Sequence, residues 1–234
     1  MPTSPDGFTR RLNHLKADIV DQGRRVQALI EAAFDAAFSR DAEAARRVVK
    51  QDEVIDRVDI DIERACVTLL ADATREHAAL EPEQLRIVLT VVKANNELER
   101  IADAAVSVAE LITQVQATGQ LPDTLRVMTN SVVGIIRDVN MSLDHNDPEL
   151  AKVVLASEDA VLEFKRAIVR DAQERLRRAE VSVDFAFGLQ EIASACERMA
   201  DHCTNIAEQV IYSATGAIVR HTSGHWEEFK LPTG

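Results

Sequence analysis

Leu98-Glu-Arg-Ile-Ala-Asp-Ala-Ala-Val-Ser-Val-Ala-Glu-Leu-Ile112 and Cys196-Glu-Arg-Met-Ala-Asp-His-Cys-Thr-Asn-Ile-Ala-Glu-Gln-Val210 align without a gap. Six of the fifteen positions are identical: Glu99/Glu197, Arg100/Arg198, Ala102/Ala200, Asp103/Asp201, Ala109/Ala207 and Glu110/Glu208. Four of the six are charged, whereas packing alone preserves apolar character rather than particular charges. The chain therefore reads as a duplication whose polar helical face has a task. Residues four apart lie one turn apart on the same side of a helix. Glu99 and Asp103, and again Glu197 and Asp201, repel one another unless a cation lies between them.

Working outward, every long segment repeats apolar residues at three- and four-residue spacing, and none alternates with the two-residue period of a strand. Six helices are expected. The first spans about 8–38, with Leu12, Leu15, Ile19, Val26, Leu29, Ile30, Ala33 and Ala37 as its apolar stripe and Gly23 as a mild weakness. The second follows an N-cap at Asp41 and runs to about Thr74. Pro82 opens a third helix, to about Ala117, and Gly119 stops it. Pro122 opens a fourth, ending near Leu143. Asp147-Pro148-Glu149 starts a fifth, to about Arg178, by combining an N-cap, a first-turn proline and an acid at the positive end of the dipole. The sixth runs from about Asp184 to Tyr212, before Gly216. The expected fold is all-α: two tandem antiparallel three-helix bundles, 1–118 and 119–216, followed by a C-terminal tail, 217–234, either loosely ordered or docked through Trp226 and Phe229.

Composition agrees. The 234 residues are 46% hydrophobic and 28% charged, with only eight glycines and six prolines. Aromatics are scarce at 4%, so the core is aliphatic. A net charge of -12 argues against nucleic acid and anionic membranes, which are bound by surplus Lys and Arg. No apolar run reaches the roughly 18–20 residues that span a bilayer, and the first residues carry no signal-peptide pattern. Cys66, Cys196 and Cys203 form no disulfide framework and read as buried reduced thiols of a cytoplasmic protein.

The candidate chemistry lies in carboxylates. One helix carries Asn96, Glu99, Asp103, Ser107 and Glu110 along a line, and its counterpart carries Ser194, Glu197, Asp201, Asn205 and Glu208. The preceding helix of each half adds an acid pair: Asp52/Asp56 in the first, Asp159/Glu163 in the second. If consecutive helices pack antiparallel, each half gathers four carboxylates, a hard-oxygen set suited to Mg²⁺, Mn²⁺ or iron. A chain with 39 acidic residues has many such pairs by chance, and recurrence in one context is what singles these out. Salt bridges from Arg100 and Arg198 are the alternative way to quiet the charge. His202, next to Asp201, points about 100° away from it. His221 and His225 are four apart but separated by Gly224. No Glu-x-x-His pair, His-Glu-x-x-His, phosphate loop or nucleophile elbow occurs.

On these residues the chain resembles the PhoU family along nearly its whole length. That family's motif is a Glu or Asp, three residues, then Asp, within a segment like Glu99-Arg-Ile-Ala-Asp103 and Glu197-Arg-Met-Ala-Asp201. The family's earlier-helix acids match at Asp52/Asp56 and, less well, at Asp159/Glu163. Its Asn four residues past the motif is Asn205 here, with Ser107 at the other equivalent place, and the Arg220-His221 pair also resembles the family. The resemblance implies a non-enzymatic, cytoplasmic adaptor that binds metal at the acidic motifs and forms a homodimer. It implies negative regulation of the phosphate-starvation response and of phosphate uptake, through coupling of the ATPase subunit of the Pst phosphate transporter to a sensor histidine kinase. Two other classes compete: a carboxylate-ligated metal-storage or redox protein, and a purely structural helical scaffold.

Overall fold

The computed structural model describes residues 5–114, 119–222 and 225–229. Six helices follow in order: α1 (Pro5–Ser39), α2 (Ala42–Arg75), α3 (Pro82–Gln114), α4 (Asp123–His145), α5 (Pro148–Arg177) and α6 (Val183–Thr215). The expected end of the third helix near Ala117 lies outside the described residues. The caps are those read from the sequence. Asp41 accepts from the backbone N–H groups of Glu43 and Ala44, and Asp147 does the same for Glu149 and Leu150, with Pro148 in the first turn. Gly216 ends α6 in the left-handed region at φ 74°, where its N–H reaches the carbonyl of Tyr212.

Short connections turn each helix back on its predecessor. Helices α1, α2 and α3 pack pairwise, and so do α4, α5 and α6. The two groups join through α3 against α6 and α1 against α4, so their buried residues form one continuous core. The eight residues named above for the first apolar stripe are all buried, and α6 is buried without a break from Ile206 to Ile211. Both copies of the repeated segment therefore lie on the two helices that hold the halves together. All three cysteines are buried and free, and burial pushes the Cys66 thiol up to about 11.

Buried polar side chains fix how the helices align. Gln22 Nε2 donates to the Ile55 carbonyl at 2.8 Å, tying α1 to α2. Thr90 Oγ1 donates to the Gln209 carbonyl at 3.2 Å, tying α3 to α6. Asn140 Nδ2 donates to the Gly23 carbonyl at 2.9 Å, tying α4 to α1. Gly23, expected as a weakness, is thus a point of tight approach to α4: a Cβ there meets Asn140 Oδ1 at 2.3 Å. The missing side chain makes room for a contact between the halves, which helix propensity alone does not reveal.

The final segment, expected as a tail either loosely ordered or docked, contains a strand pair. β1 (Ile218–Thr222) pairs antiparallel with β2 (His225–Phe229), with His221 opposite Trp226. Val219 is buried, and Arg220 reaches back to Glu208 on α6 at 2.8 Å. His221 and His225 sit in extended chain, so helical four-residue spacing does not apply to them. Their side chains, and those of Trp226 and Phe229, lie outside what is described.

Gly23→Ala is expected to cost about 1–3 kcal/mol by crowding a buried, hydrogen-bonded side chain, more than the ~1 kcal/mol of helix propensity it gains. Denaturant unfolding of Gly23→Ala, Asn140→Ala and the double variant checks this. The Gly23→Ala penalty should shrink once Asn140 is truncated, and equal penalties in both backgrounds would show that Asn140 is not the obstacle.

Candidate functional site

Helices α2 and α3 bring five carboxylates into one another's field. Ile55 and Ile62 of α2, and Leu98, Ile101 and Ala102 of α3, are at most 3% exposed. These anchors leave Asp52, Asp56 and Asp59 on one flank of α2, and Glu99 and Asp103 on the facing flank of α3. Burial, then the charges of Asp56 and Asp103, push Asp52 up to about 6. Burial, then Asp103, Asp59 and Asp56, raise Glu99, which also shares a hydrogen bond with Asp103. Asp59 is raised by burial and by Glu63 and Asp56, against a hydrogen bond from Asn95. Asn95 is itself buried, and its Nδ2 donates to the Asp59 carbonyl at 2.9 Å and to its carboxylate. Asp52 Oδ1 is buried with no hydrogen-bond partner. Among the described residues, no three His, Cys, Asp or Glu side chains converge tightly enough to enclose an ion as they stand. What α2 and α3 build is a concentration of mutually repelling hard-oxygen donors, one of them an orphaned buried atom. That chemistry suits a cation such as Mg²⁺ or Mn²⁺.

The second half places its acids differently. Lys165 of α5 pairs through Nζ with Glu197 Oε2, both side chains being about two-thirds buried or more. Asp159 and Glu163, paired on their spacing and, less well, by the resemblance, are exposed, and Glu163 is engaged by Arg166 one turn on. The reason is register. The N-caps Asp41 and Asp147, and the buried pairs Ala45/Ala151, Val48/Val154, Ile55/Val161, Ile62/Ile168 and Cys66/Ala172, superimpose α2 on α5 with one constant offset. That offset matches Asp52 to Glu158, Asp56 to Leu162 and Asp59 to Lys165, one residue away from the Asp159/Glu163 pairing.

The polar line on α6 also divides. Each four-residue step overshoots a helical turn by about 40°, so Asn205 has rotated away from Glu197. Its Nδ2 donates to Glu97 Oε2 of α3 at 3.1 Å, and His202 Nδ1 meets the same oxygen at 2.7 Å. Burial works to raise Glu97, but the hydrogen bonds from His202 and Asn205 prevail and hold it below its ordinary range. His202 and Asn205 thus join α6 to α3 rather than to the Glu197/Asp201 pair. Asp201 is exposed on α6. Arg100 and Arg198, expected as possible counter-charges, instead line a concavity of about 260 Å³ between α3 and α6, with Asp103, Ser107 and His202.

Sequence reasoning missed Asp59, Asn95, Glu97, Glu158 and Lys165. Asp59 was readable as the third acid of a four-then-three spacing, and Glu158 and Lys165 from alignment of the two N-caps. Nothing local marks Asn95 or Glu97, whose roles depend on which helices face them.

Comparison with known proteins places this geometry. The model of the PhoU domain family matches residues 19–112 and again 125–210. The phosphate-specific transport system accessory protein PhoU homolog 1 of Thermotoga maritima is 29% identical over 212 residues, 89% of either chain. The accessory protein PhoU of Edwardsiella tarda is 27% identical over 93% of this chain and 88% of its own. Two crystal structures share the fold: PhoU from Streptococcus pneumoniae (TM-score 0.84, 21% identity, 92% of this chain and 100% of that one) and PhoU from Pseudomonas aeruginosa (0.81, 23%, 89% and 99%).

A charge raised in pKa on folding has a definite linkage sign. Between its ordinary value of 3.8 and about 6, folded Asp52 holds a proton that the unfolded chain releases, so its contribution to stability is lost as pH rises through that window. In chelator, Asp52→Asn should melt above wild type near neutral pH, with the gap closing below about pH 4. Melting temperatures of both proteins across that range decide it, and parallel curves would refute the assignment.

Proposed function

The chain belongs to the PhoU family, and on that premise we propose that it is a regulatory accessory protein of a phosphate-specific transport system, acting by contact rather than catalysis. The observation that carries the reading is coverage: the family model matches both halves of the chain, and relatives named for this role align over about nine-tenths of it. The described side chains suit an adaptor. The core is continuous across both halves, so a perturbation at one acidic cluster reaches the α3–α6 joint through packed helices. Among the described residues no helix is long and apolar enough to cross a membrane.

In its finer form, the protein works in the cytoplasm as a homodimer. It lowers phosphate uptake and the phosphate-starvation response by linking the transporter's ATPase subunit to a sensor histidine kinase. Asp52, Asp56, Asp59, Glu99 and Asp103 hold a hard divalent or trivalent cation, which neutralises their repulsion and stiffens the α2–α3 edge. When bound, that ion supplies an open coordination position for an oxygen-rich group of a partner. A metal-storage or redox role draws no support from the donors, since the cluster offers carboxylates without histidine or thiolate.

Pull-down of the purified full chain against the ATPase subunit and the kinase, with and without chelator, tests the proposal. Capture of both is expected, weakened at least about tenfold (about 1.4 kcal/mol) by chelator or by Glu99→Gln/Asp103→Asn. Capture of neither would defeat the adaptor reading, and capture indifferent to chelator and to the variant would remove the cation from it.

A further inference from the structure

We infer that Lys165 is the built-in cation of the second repeat, so that this half takes no metal and the duplicated acidic sites have become one ion-binding site and one self-neutralised site. The inference rests on the proposed reading of the first-repeat cluster as a cation site.

Three observations lead to it. The superposition of α2 on α5 is fixed by caps and buried residues, none of which is part of the cluster. It puts Lys165 where Asp59 stands and Leu162 where Asp56 stands. Equivalent neighbours then confirm the register independently. Asp59 accepts a hydrogen bond from Asn95, one turn before Glu99 on α3, and Lys165 ion-pairs with Glu197, the counterpart of Glu99. The chain has thus exchanged two of five carboxylates for a hydrocarbon and an ammonium. The first repeat presents Asp52, Asp56, Asp59, Glu99 and Asp103, whereas the second presents Glu158, Glu197 and Asp201 with Lys165 among them.

The chemistry of that exchange opposes metal. An ammonium is a compact point charge with three donors, and it satisfies a carboxylate much as an ion would. It is tethered, with 26% of its side chain exposed against 32% for Glu197, so it competes at an effective concentration that free cations do not reach. A divalent ion entering here has to displace it and leave it beside a second positive charge, with fewer oxygens to share. Leu162 removes one of the donors that a six-to-eight-coordinate hard cation needs. The second-repeat residues do not fit the ion that the first repeat suits.

Mn²⁺ binding to the chelator-stripped full chain, read from the free-ion electron paramagnetic resonance signal, tests this. Wild type and Glu197→Gln should bind the same amount, and Asp52→Asn/Asp103→Asn should bind none. Leu162→Asp/Lys165→Asp should bind about twice the wild-type amount, with Glu197→Gln removing the increment. Partial loss of wild-type binding in Glu197→Gln, or no increment in a folded Leu162→Asp/Lys165→Asp, overturns the inference while sparing the first-repeat reading. Unchanged binding in Asp52→Asn/Asp103→Asn overturns that reading instead, and the increment alone then decides the role of Lys165. Should the double aspartate variant not fold, Lys165→Gln is placed in the Asp52→Asn/Asp103→Asn background. Mn²⁺ should then raise its melting temperature and leave the parent's unmoved, and equal responses overturn the inference.

Discussion

The structure turns on a contest between aliphatic burial and carboxylate repulsion along α2 and α3. Burying one Ile or Leu stabilises the fold by about 1.5–3 kcal/mol, and Ile55, Ile62, Leu98 and Ile101 are all buried. Two carboxylates about 4 Å apart repel by about 1 kcal/mol in water and by several times that where water is partly excluded. The summed burial wins, and the acids are held together because they share helices with residues that cannot leave the core. The raised carboxyls of Asp52 and Glu99 record that compromise. A site assembled this way has its repulsion built in, and whatever relieves it is coupled to the packing of α2 against α3.

Relief takes different forms at different places in the molecule. At Glu97 it is a partly buried hydrogen-bonded bridge to His202 and Asn205 across the joint between the halves. At Glu208 it is Arg220, delivered by the first strand of the terminal pair. At Glu197 it is Lys165. The α2–α3 cluster stands apart, with no Lys or Arg bridged to Asp52, Asp59, Glu99 or Asp103 among the described ion pairs. The surplus is local: a chain with net charge -12 spends its cations elsewhere. The two repeats present unequal acidic faces, because α5 carries Leu162 and Lys165 where α2 carries Asp56 and Asp59, while the apolar positions that set the helix register match.

The central joint is built from helices that carry part of these unequal faces. The helices bearing the repeated motif, α3 and α6, are also those that pack the halves together. Charge neutralisation on the outer flank of α3 therefore acts on a helix whose inner flank carries Thr90 and Glu97 against α6. Rigid helices with interdigitated side chains pass small displacements on rather than absorbing them. The adaptor role proposed above would draw on this mechanical property.

Much of the architecture was legible in the chain itself. Six helices, their N-caps at Asp41 and Asp147, the C-terminal stop at Gly216 and the buried stripe of α1 follow from spacing and capping, which act within one or two turns. The doubled Glu-Arg-x-Ala-Asp segment disclosed the duplication and directed attention to its carboxylates. Tertiary structure decided what those carboxylates face. Which acid on α5 answers Asp52, whether a lysine or a proton donor meets Glu197, and why Gly23 is a contact rather than a defect all depend on partners more than thirty residues away. A shift of one residue on a helix turns a side chain by 100°, so matching acids by spacing could select Asp159 where the buried register selects Glu158. Local periodicity determines that a helix forms and which side is apolar, but only the packed neighbours determine which polar groups meet.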